Sequence, residues 1–349
     1  MTRSEAIARL QAENYQIQPG QKVTVGPFEP RDALGVTRCY YQVYGGSFPL
    51  DHVYLPDELI RRSQAAHQPG NEQHMFVARA ESGDIVGLGG IFRSAPGGGI
   101  LEVGQLMVLK SYRMTRVAVE LCRFAVETLA PSLGLNAVYS ESLCNHVMSQ
   151  KLATFFGLDD HSLELDVLPP EAFESEQQVG GRVALLQQFR VYQDIAHTVY
   201  LPPAYREILQ ELYDGQPWQR TFAEPAAQAP LPETSQVHFS KILDVGFYRF
   251  GIETVGRDID TVLAGIEQES ATFRTRQAQV NLADPAAAQV VDALFARGYR
   301  FGGLLPLWFN RDALFLQQID GEPHWDGVHV KTPRAHRILD LIRKDWERR

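Results

Sequence analysis

Along most of the chain, apolar residues either alternate with polar ones or recur at helical spacing, and each change of period marks a new element. The opening stretch, MTRSEAIARLQAEN, reads as a polar amphipathic helix. Lys22 to Phe28 (KVTVGPF) alternates valines with polar residues near a proline, which predicts a first strand. Arg31 to Tyr44 and Pro56 to Ala66 have helical spacing, and Asp57 and Glu58 fall in the second helix's first turn, where the helix dipole favours acids. Met75 to Ala80, the turn Ser82-Gly83-Asp84 and Ile85 to Phe92 predict a β-hairpin. The glycines between Gly87 and Gly90 lie inside that strand pattern with no following Lys-Ser or Lys-Thr, which argues against a phosphate loop.

A second glycine cluster, Pro96 to Gly99, leads to a strand over Ile100 to Val108. A polar turn, Lys110 to Thr115, then opens a long helix over Arg116 to Ala130, expected to stop at Pro131. A strand over Ala137 to Ser142, a helix over Asn145 to Phe156 ended by Gly157, and strands over His161 to Leu168 and Arg182 to Val191 follow. Asp194 to Glu233 reads as a connector, a helix over Pro203 to Tyr213 and then the Pro- and Ala-rich PAAQAPLPE. Strands and helices resume at Gln236 and run to about Asp320; a last helix, Pro333 to Trp346, has Thr332 at its cap and proline at its first position.

Two stretches resemble one another. Each has a helix ending at a glycine (Gly157, Gly298), a strand, a Leu-Pro pair (Leu168-Pro169, Leu305-Pro306), and then an Arg-led strand with Gln-Gln near its end. This favours two related folds in tandem. Length agrees, since 349 residues divide into roughly two domains of ordinary size. The expected bounds are 1–193, a helix and linker over 194–234, and 235–349.

A net charge of −9 with 44% hydrophobic residues and no long basic run gives no electrostatic footprint for nucleic acid or an anionic membrane. Cys39, Cys122 and Cys144 form no CxxC pair and are odd in number, so neither a disulfide framework nor a zinc knuckle is supported. No stretch approaches the roughly 18 apolar residues of a membrane span, and the opening helix lacks a signal peptide's apolar centre. The expectation is a cytoplasmic protein whose mature chain is the whole chain.

A strand, a short turn and a helix whose first amides are unpaired form a site for a pyrophosphate. Here the turn is Arg113-Met114-Thr115-Arg116-Val117-Ala118, adding two guanidinium groups and a hydroxyl. The competing reading is a solvated helix start. His324, Asp326 and His329 lack metal-ligand spacing, so no metal site is expected. Cys144 precedes a helix start but reads as a packed thiol rather than a nucleophile.

Over roughly Lys22 to Val191 the chain resembles the GNAT superfamily of acyl-CoA dependent N-acyltransferases, whose element order matches the one above. The family's cofactor motif is Gln or Arg, two variable residues, Gly, one variable residue, then Gly or Ala. Arg113 and Ala118 fit its ends; Arg116 stands at the middle glycine. The resemblance implies an α/β mixed-sheet GNAT-like fold followed by a second, smaller GNAT-like domain, with acetyl-CoA or another acyl-CoA as co-substrate. It implies that Leu106, Met107 and Val108 lend backbone groups to the pantetheine arm between two splayed parallel strands, and that Asn145 and Ser149 flank the cofactor. The family's tyrosine acid would fall four residues before Gly157, where the chain has Ala153. Glu102 stands at the spacing from Arg113 where members with a glutamate base place it, with Glu141 as substitute and an ordinary strand residue as the plain alternative.

The second stretch has Val255-Gly256-Arg257-Asp258-Ile259-Asp260 in place of the cofactor turn, and its two carboxylates would repel a pyrophosphate. It is expected to be a degenerate copy that covers the acceptor cleft or pairs chains into a homo-oligomer. The acceptor implied is a primary amine of a small molecule or protein. The alternatives are a non-catalytic acyl-CoA sensor or partner-binding module and, more weakly, a tandem-fold aminoacyl transferase, which would require a basic channel for tRNA.

Overall fold

The computed structural model describes residues 1–48, 50–66, 72–170, 180–225, 230–242 and 246–348. Its described residues pack as two units. One holds Met1–Ser94 and Leu101–Ser140; the other holds Ala95–Ile100 and the described chain from Glu141 onward. This division by packing differs from the expected bounds at 193 and 234, because the strands on either side of residue 175 pack with the C-terminal half.

In the first unit, helix α1 (Arg3–Glu13) is fixed by a capping box in which Thr2 and Glu5 each bond the other's backbone N–H. Strands β1 (Val23–Pro27), β2 (Gln73–Ala80), β3 (Ile85–Phe92) and β4 (Ile100–Val108) pair in that order, all antiparallel. Helices α2 (Ala33–Tyr44) and α3 (Pro56–Ala65) lie between β1 and β2 in sequence. Val36, Cys39 and Tyr40 of α2 are buried in one cluster with Val77, Leu88 and Met107 of the strands. The helix expected to stop at Pro131 does not. α4 (Val117–Arg123) passes through a π-helical stretch (Phe124–Leu129) into a short α5 (Ala130–Ser132), so the proline's missing N–H falls where the ordinary hydrogen-bond ladder is already interrupted. β5 (Ala137–Leu143) follows.

The second unit contains α6 (Met148–Phe155), β6 (Asp159–Leu168) and β7 (Val183–Val191). Then come β8 (His197–Tyr200), α7 (Arg206–Tyr213) and β9 (Arg220–Ala223). They are followed by β10 (Gln236–Ile242), β11 (Phe247–Thr254), α8 (Ile259–Ser270), β12 (Thr275–Asn281), α9 (Ala287–Ala296), β13 (Arg300–Leu305), β14 (Ala313–Ile319) and α10 (Pro333–Trp346). Its strand order is β7-β6-β13-β14-β12-β11-β10. β6 and β13 meet at Ser162 opposite Gly303, whose φ is 142° and where a Cβ would lie 2.3 Å from the Ser162 Cβ, so only glycine fits the seam. With α4 through α5 counted as one interrupted helix, the run β3-β4-α4-β5-α6-β6-β7 recurs in chain order as β10-β11-α8-β12-α9-β13-β14.

The expected connector over 194–233 is largely built structure. β8 and β9 form a parallel pair, and Val199, Leu201, Tyr205, Leu209 and Leu212 lie in the second unit's core. Fully buried Asp312 accepts from Arg220 Nε (2.6 Å), Tyr213 OH (2.9 Å) and the Leu307 backbone N–H (3.0 Å). Burial alone would raise this carboxyl, but hydrogen bonds from His197 and Arg220 and the Arg220 charge hold it at about 2. The composition of PAAQAPLPE hid this, and residues 226–229 of that run lie outside the described residues.

Candidate active site

In β4, Met107 pairs with Leu88 and Gly104 with Gly90, so Gln105 and Leu106 together face the single residue Gly89. This is a β-bulge, and Gln105 takes the left-handed conformation (φ 53°) with its Oε1 held by the buried Tyr40 hydroxyl at 2.8 Å. A bulge re-aims the strand at Leu106 to Val108, where the resemblance places the pantetheine contacts. Met107 and Val108 are buried, and the Val108 carbonyl already accepts from Arg113 Nε at 3.2 Å.

The turn after β4 leaves Arg113, Met114 and Arg116 exposed and buries Val117, with Ala118 half-buried behind it. Thr115 is not free to meet an anion as its sequence position suggested. Its hydroxyl donates to the Tyr112 carbonyl (2.6 Å) and accepts from Val117 N–H (3.3 Å), capping α4. The Arg116 side chain, 83% exposed, is 3.8 Å from Glu120, a loose ion pair that leaves its charge to solvent.

Glu102 is half-buried on β4 opposite Phe92. Ser94 Oγ donates to Glu102 Oε2 at 2.7 Å, and the fully buried Tyr139 of β5 hydrogen-bonds Ser94 and lies 3.4 Å from the same Oε2. Neither Ser94 nor Tyr139 was singled out from the sequence. The signal available was the hairpin register, since Ser94 lies two residues beyond Phe92, the partner of Glu102.

Asn145 and Ser149 belong to the second unit. The expected helix from Asn145 begins only at Met148, which leaves Asn145 in the preceding bend; Ser149 Oγ is buried and makes no hydrogen bond. Ala153, at the family's tyrosine position, is buried. Glu141 is tied up: its Oε1 accepts from Arg249 Nη2 (3.2 Å) and Gln187 Nε2 (3.3 Å), and the same Arg249 nitrogen bonds fully buried Glu164 at 2.7 Å. A carboxylate so paired is a poor substitute base. Burial pushes the Glu164 carboxyl up to about 8, Arg249 opposing and Glu141 adding to the shift. Cys144 is fully buried, and burial raises its thiol far above the ordinary range, in keeping with a packed thiol. No group of three or more His, Cys, Asp or Glu among the described residues could hold a metal ion.

The corresponding turn of the C-terminal run is occupied by its own chain. Gly256 N–H donates to Ser235 Oγ (2.9 Å), Arg257 N–H to the Pro232 carbonyl (2.9 Å), and Ser235 N–H and hydroxyl both to Asp258 Oδ1 (2.7 Å). A Cβ at Gly256 would lie 2.3 Å from the Thr234 carbonyl carbon. The parallel strands β11 and β12 pair without interruption from Phe247 to Ile252, and beyond them Asn281 Nδ2 donates to the Glu253 carbonyl (2.9 Å) and Val255 N–H to Asp284 (2.8 Å). Nothing splays open. The expected repulsion by Asp258 is better described as occupation, because that carboxylate anchors the incoming segment.

Residues 39–157 match the model of the acetyltransferase (GNAT) family. That segment is a GNAT-family domain. No curated protein sequence matches the chain. Among solved structures the chain is similar to the ribosomal-protein-S5-alanine acetyltransferase of Vibrio fischeri, at 10% identity over 52% of this chain and 97% of that one, with a TM-score of 0.40. It is also similar to a spermidine N-acetyltransferase SpeG chimera from Vibrio cholerae and hSSAT (15% identity, 48% and 95% covered, TM-score 0.38). A third is yncA of Salmonella typhimurium, solved with its cofactor acetyl-CoA (14%, 50% and 96%, TM-score 0.40). The GNAT domain and these likenesses leave a second region of similar size outside them. Among the described residues no helix is long and apolar enough to cross a membrane.

Proposed function

We propose that this protein is an N-acyltransferase, moving an acyl group, acetyl in the first instance, from acyl-CoA to a primary amine of a small molecule or protein by direct attack. The observation that carries the reading is a half-buried Glu102 carboxylate, one oxygen held by hydrogen bonds, on the strand that leads into an exposed arginine turn at the start of a helix. Arg113 and Arg116 supply positive charge for a pyrophosphate. Arg116 at the family's glycine position replaces close backbone approach with a side-chain contact.

Glu102 takes a proton from the ammonium, directly or through a water, and the freed nitrogen attacks the thioester carbonyl carbon. The carbon–sulfur bond breaks, the amide forms, and the thiolate leaves as CoA thiol once protonated. With Ala153 at the usual acid position, the leaving thiolate's proton would come from water, Ser149 or a tyrosine brought in by the fold. Residues 235–349 are read as a degenerate GNAT-like copy, on the strength of the repeated element order and the occupied turn.

The test has two steps. Millimolar acetyl-CoA or a longer acyl-CoA should raise the melting temperature, and an amine panel should release CoA thiol with the wild type and not with Glu102→Gln. Binding without thiol release from any amine would favour an acyl-CoA sensor instead; no melting shift with any acyl-CoA would sink both.

A further inference from the structure

We propose that Ser94 and Tyr139 are positioning residues for Glu102, forming a relay in which the serine donates to one carboxylate oxygen and the tyrosine hydroxyl bonds both the serine and that same oxygen. The inference rests on the reading of Glu102 as the base. It adds what fixes that base in place, which neither the family motif nor the sequence pattern contains.

Proton counting sets the direction. An ionised Glu102 has no proton to give, and Ser94 has one, which the 2.7 Å contact directs at Glu102 Oε2. The Ser94 oxygen then accepts in its contact with Tyr139, and the same tyrosine hydroxyl also donates to Glu102 Oε2 at 3.4 Å. Tyr139 is fully buried, so it does not reach a substrate and acts only through its neighbours. Hydrogen bonds in series polarise one another, and the end of the chain that gains is the carboxylate.

The other oxygen, Oε1, lies where a side chain on Gly104 would go: a Cβ there would be 2.9 Å from Oε1 and 3.0 Å from the Phe92 ring. Gly104 sits next to Gln105, the bulged residue, so the irregularity in β4 lies beside this carboxylate. Three elements thus converge on one carboxylate: β4 carries it, the segment after β3 holds it through Ser94, and β5 backs it through Tyr139. A strand glutamate with only a surface role has no need of a buried tyrosine behind a serine.

Hydrogen bonds to the ionised form of an acid favour that form, so removing them should make Glu102 harder to ionise. The experiment uses the full chain labelled with carbon-13 at glutamate carboxyls, with the Glu102 signal assigned by its loss in Glu102→Gln. In Ser94→Ala the Glu102 signal should titrate about one pH unit higher than in the wild type, and in Tyr139→Phe higher by a smaller step. The acid limb of kcat/KM should move the same way, with KM for acetyl-CoA unchanged, and Ser94→Thr, which keeps the hydroxyl, should restore the wild-type profile. An unmoved titration in Ser94→Ala sinks the relay, whatever turnover does. Wild-type turnover in Glu102→Gln sinks the base, whatever the titration does. A fall in activity that Ser94→Ala still adds on top of Glu102→Gln would overturn the relay as well, because it would place the serine's effect outside the carboxylate.

Discussion

One order of elements carries two different turns. After β4 the chain presents two exposed arginines at the start of a helix; after β11 the equivalent turn has its amides bonded to Pro232 and Ser235, and Asp258 clamps the segment that fills it. Both turns solve the same physical problem, unpaired N–H groups at a helix start. In the first, Thr115 Oγ takes the Val117 N–H while the guanidinium groups stay exposed; in the second, Pro232 and Ser235 of a preceding segment take the amides. A turn of this kind can thus be filled by the chain itself.

If the division of labour is right, substitutions in the two runs should separate into effects on turnover and effects on stability. The largest effect is expected at Glu102→Gln, a loss of roughly a hundredfold to ten-thousandfold in thiol release with the acetyl-CoA melting shift intact. Asp312→Ala should do the reverse. It strips a fully buried carboxylate from Arg220 and Tyr213, which should cost about 3–5 kcal/mol in urea denaturation. The same pairing predicts acid sensitivity: with Asp312 held at about 2 against an ordinary 3.8, its contribution is present above 3.8 and lost as pH falls toward 2.

Replacing Arg113 and Arg116 together by alanine should raise KM for acetyl-CoA about tenfold or more, each charged contact contributing about 1.5–3 kcal/mol at most. Arg257→Ala should leave it unchanged, since that side chain is exposed and paired with Glu233. Equal effects from the two turns would erase the comparison. Glu164 tests the second unit at the alkaline end. Its folded value near 8 exceeds the reference 4.5, so the folded state holds the proton more tightly and stability should decline as pH rises from 4.5 toward 8; Glu164→Gln should flatten that decline in urea melts. The smallest effect is expected at Asp258→Ala, a slight loss of stability from a lost cap-like contact and no gain in acyl-CoA binding. Acquired binding there would mean that the clamp, and not the shape of the strands, keeps the second turn closed.

Much of the fold was legible because period and punctuation agree. The hairpin at Gly83, the helix stop at Gly157 and the cap at Thr332 all stand where the pattern put them. The built segment between Asp194 and Ala223 was not legible, because its strands are four residues long and their partners, such as Asp312, lie far along the chain. At the candidate site, Glu102 and the arginine turn could be read from the family resemblance and the strand–turn–helix order. Ser94 and Tyr139 could not, since what recruits them is a strand register and a buried hydroxyl, and neither leaves a periodic trace. Thr115 was misjudged for the opposite reason: its residue type suits anion binding, but its position suits a cap better.

The glycine loop after Ser94 has a consequence in time. Ala95–Ile100 packs with the second unit, and Gly99 N–H donates to Asn310 Oδ1, 211 positions further on. At roughly 5–20 residues per second, a ribosome would deliver that partner on the order of ten to forty seconds after the loop itself. For that interval the loop lacks its later partner, whereas Ser94 and Tyr139, which hold Glu102, are both synthesised well before that partner.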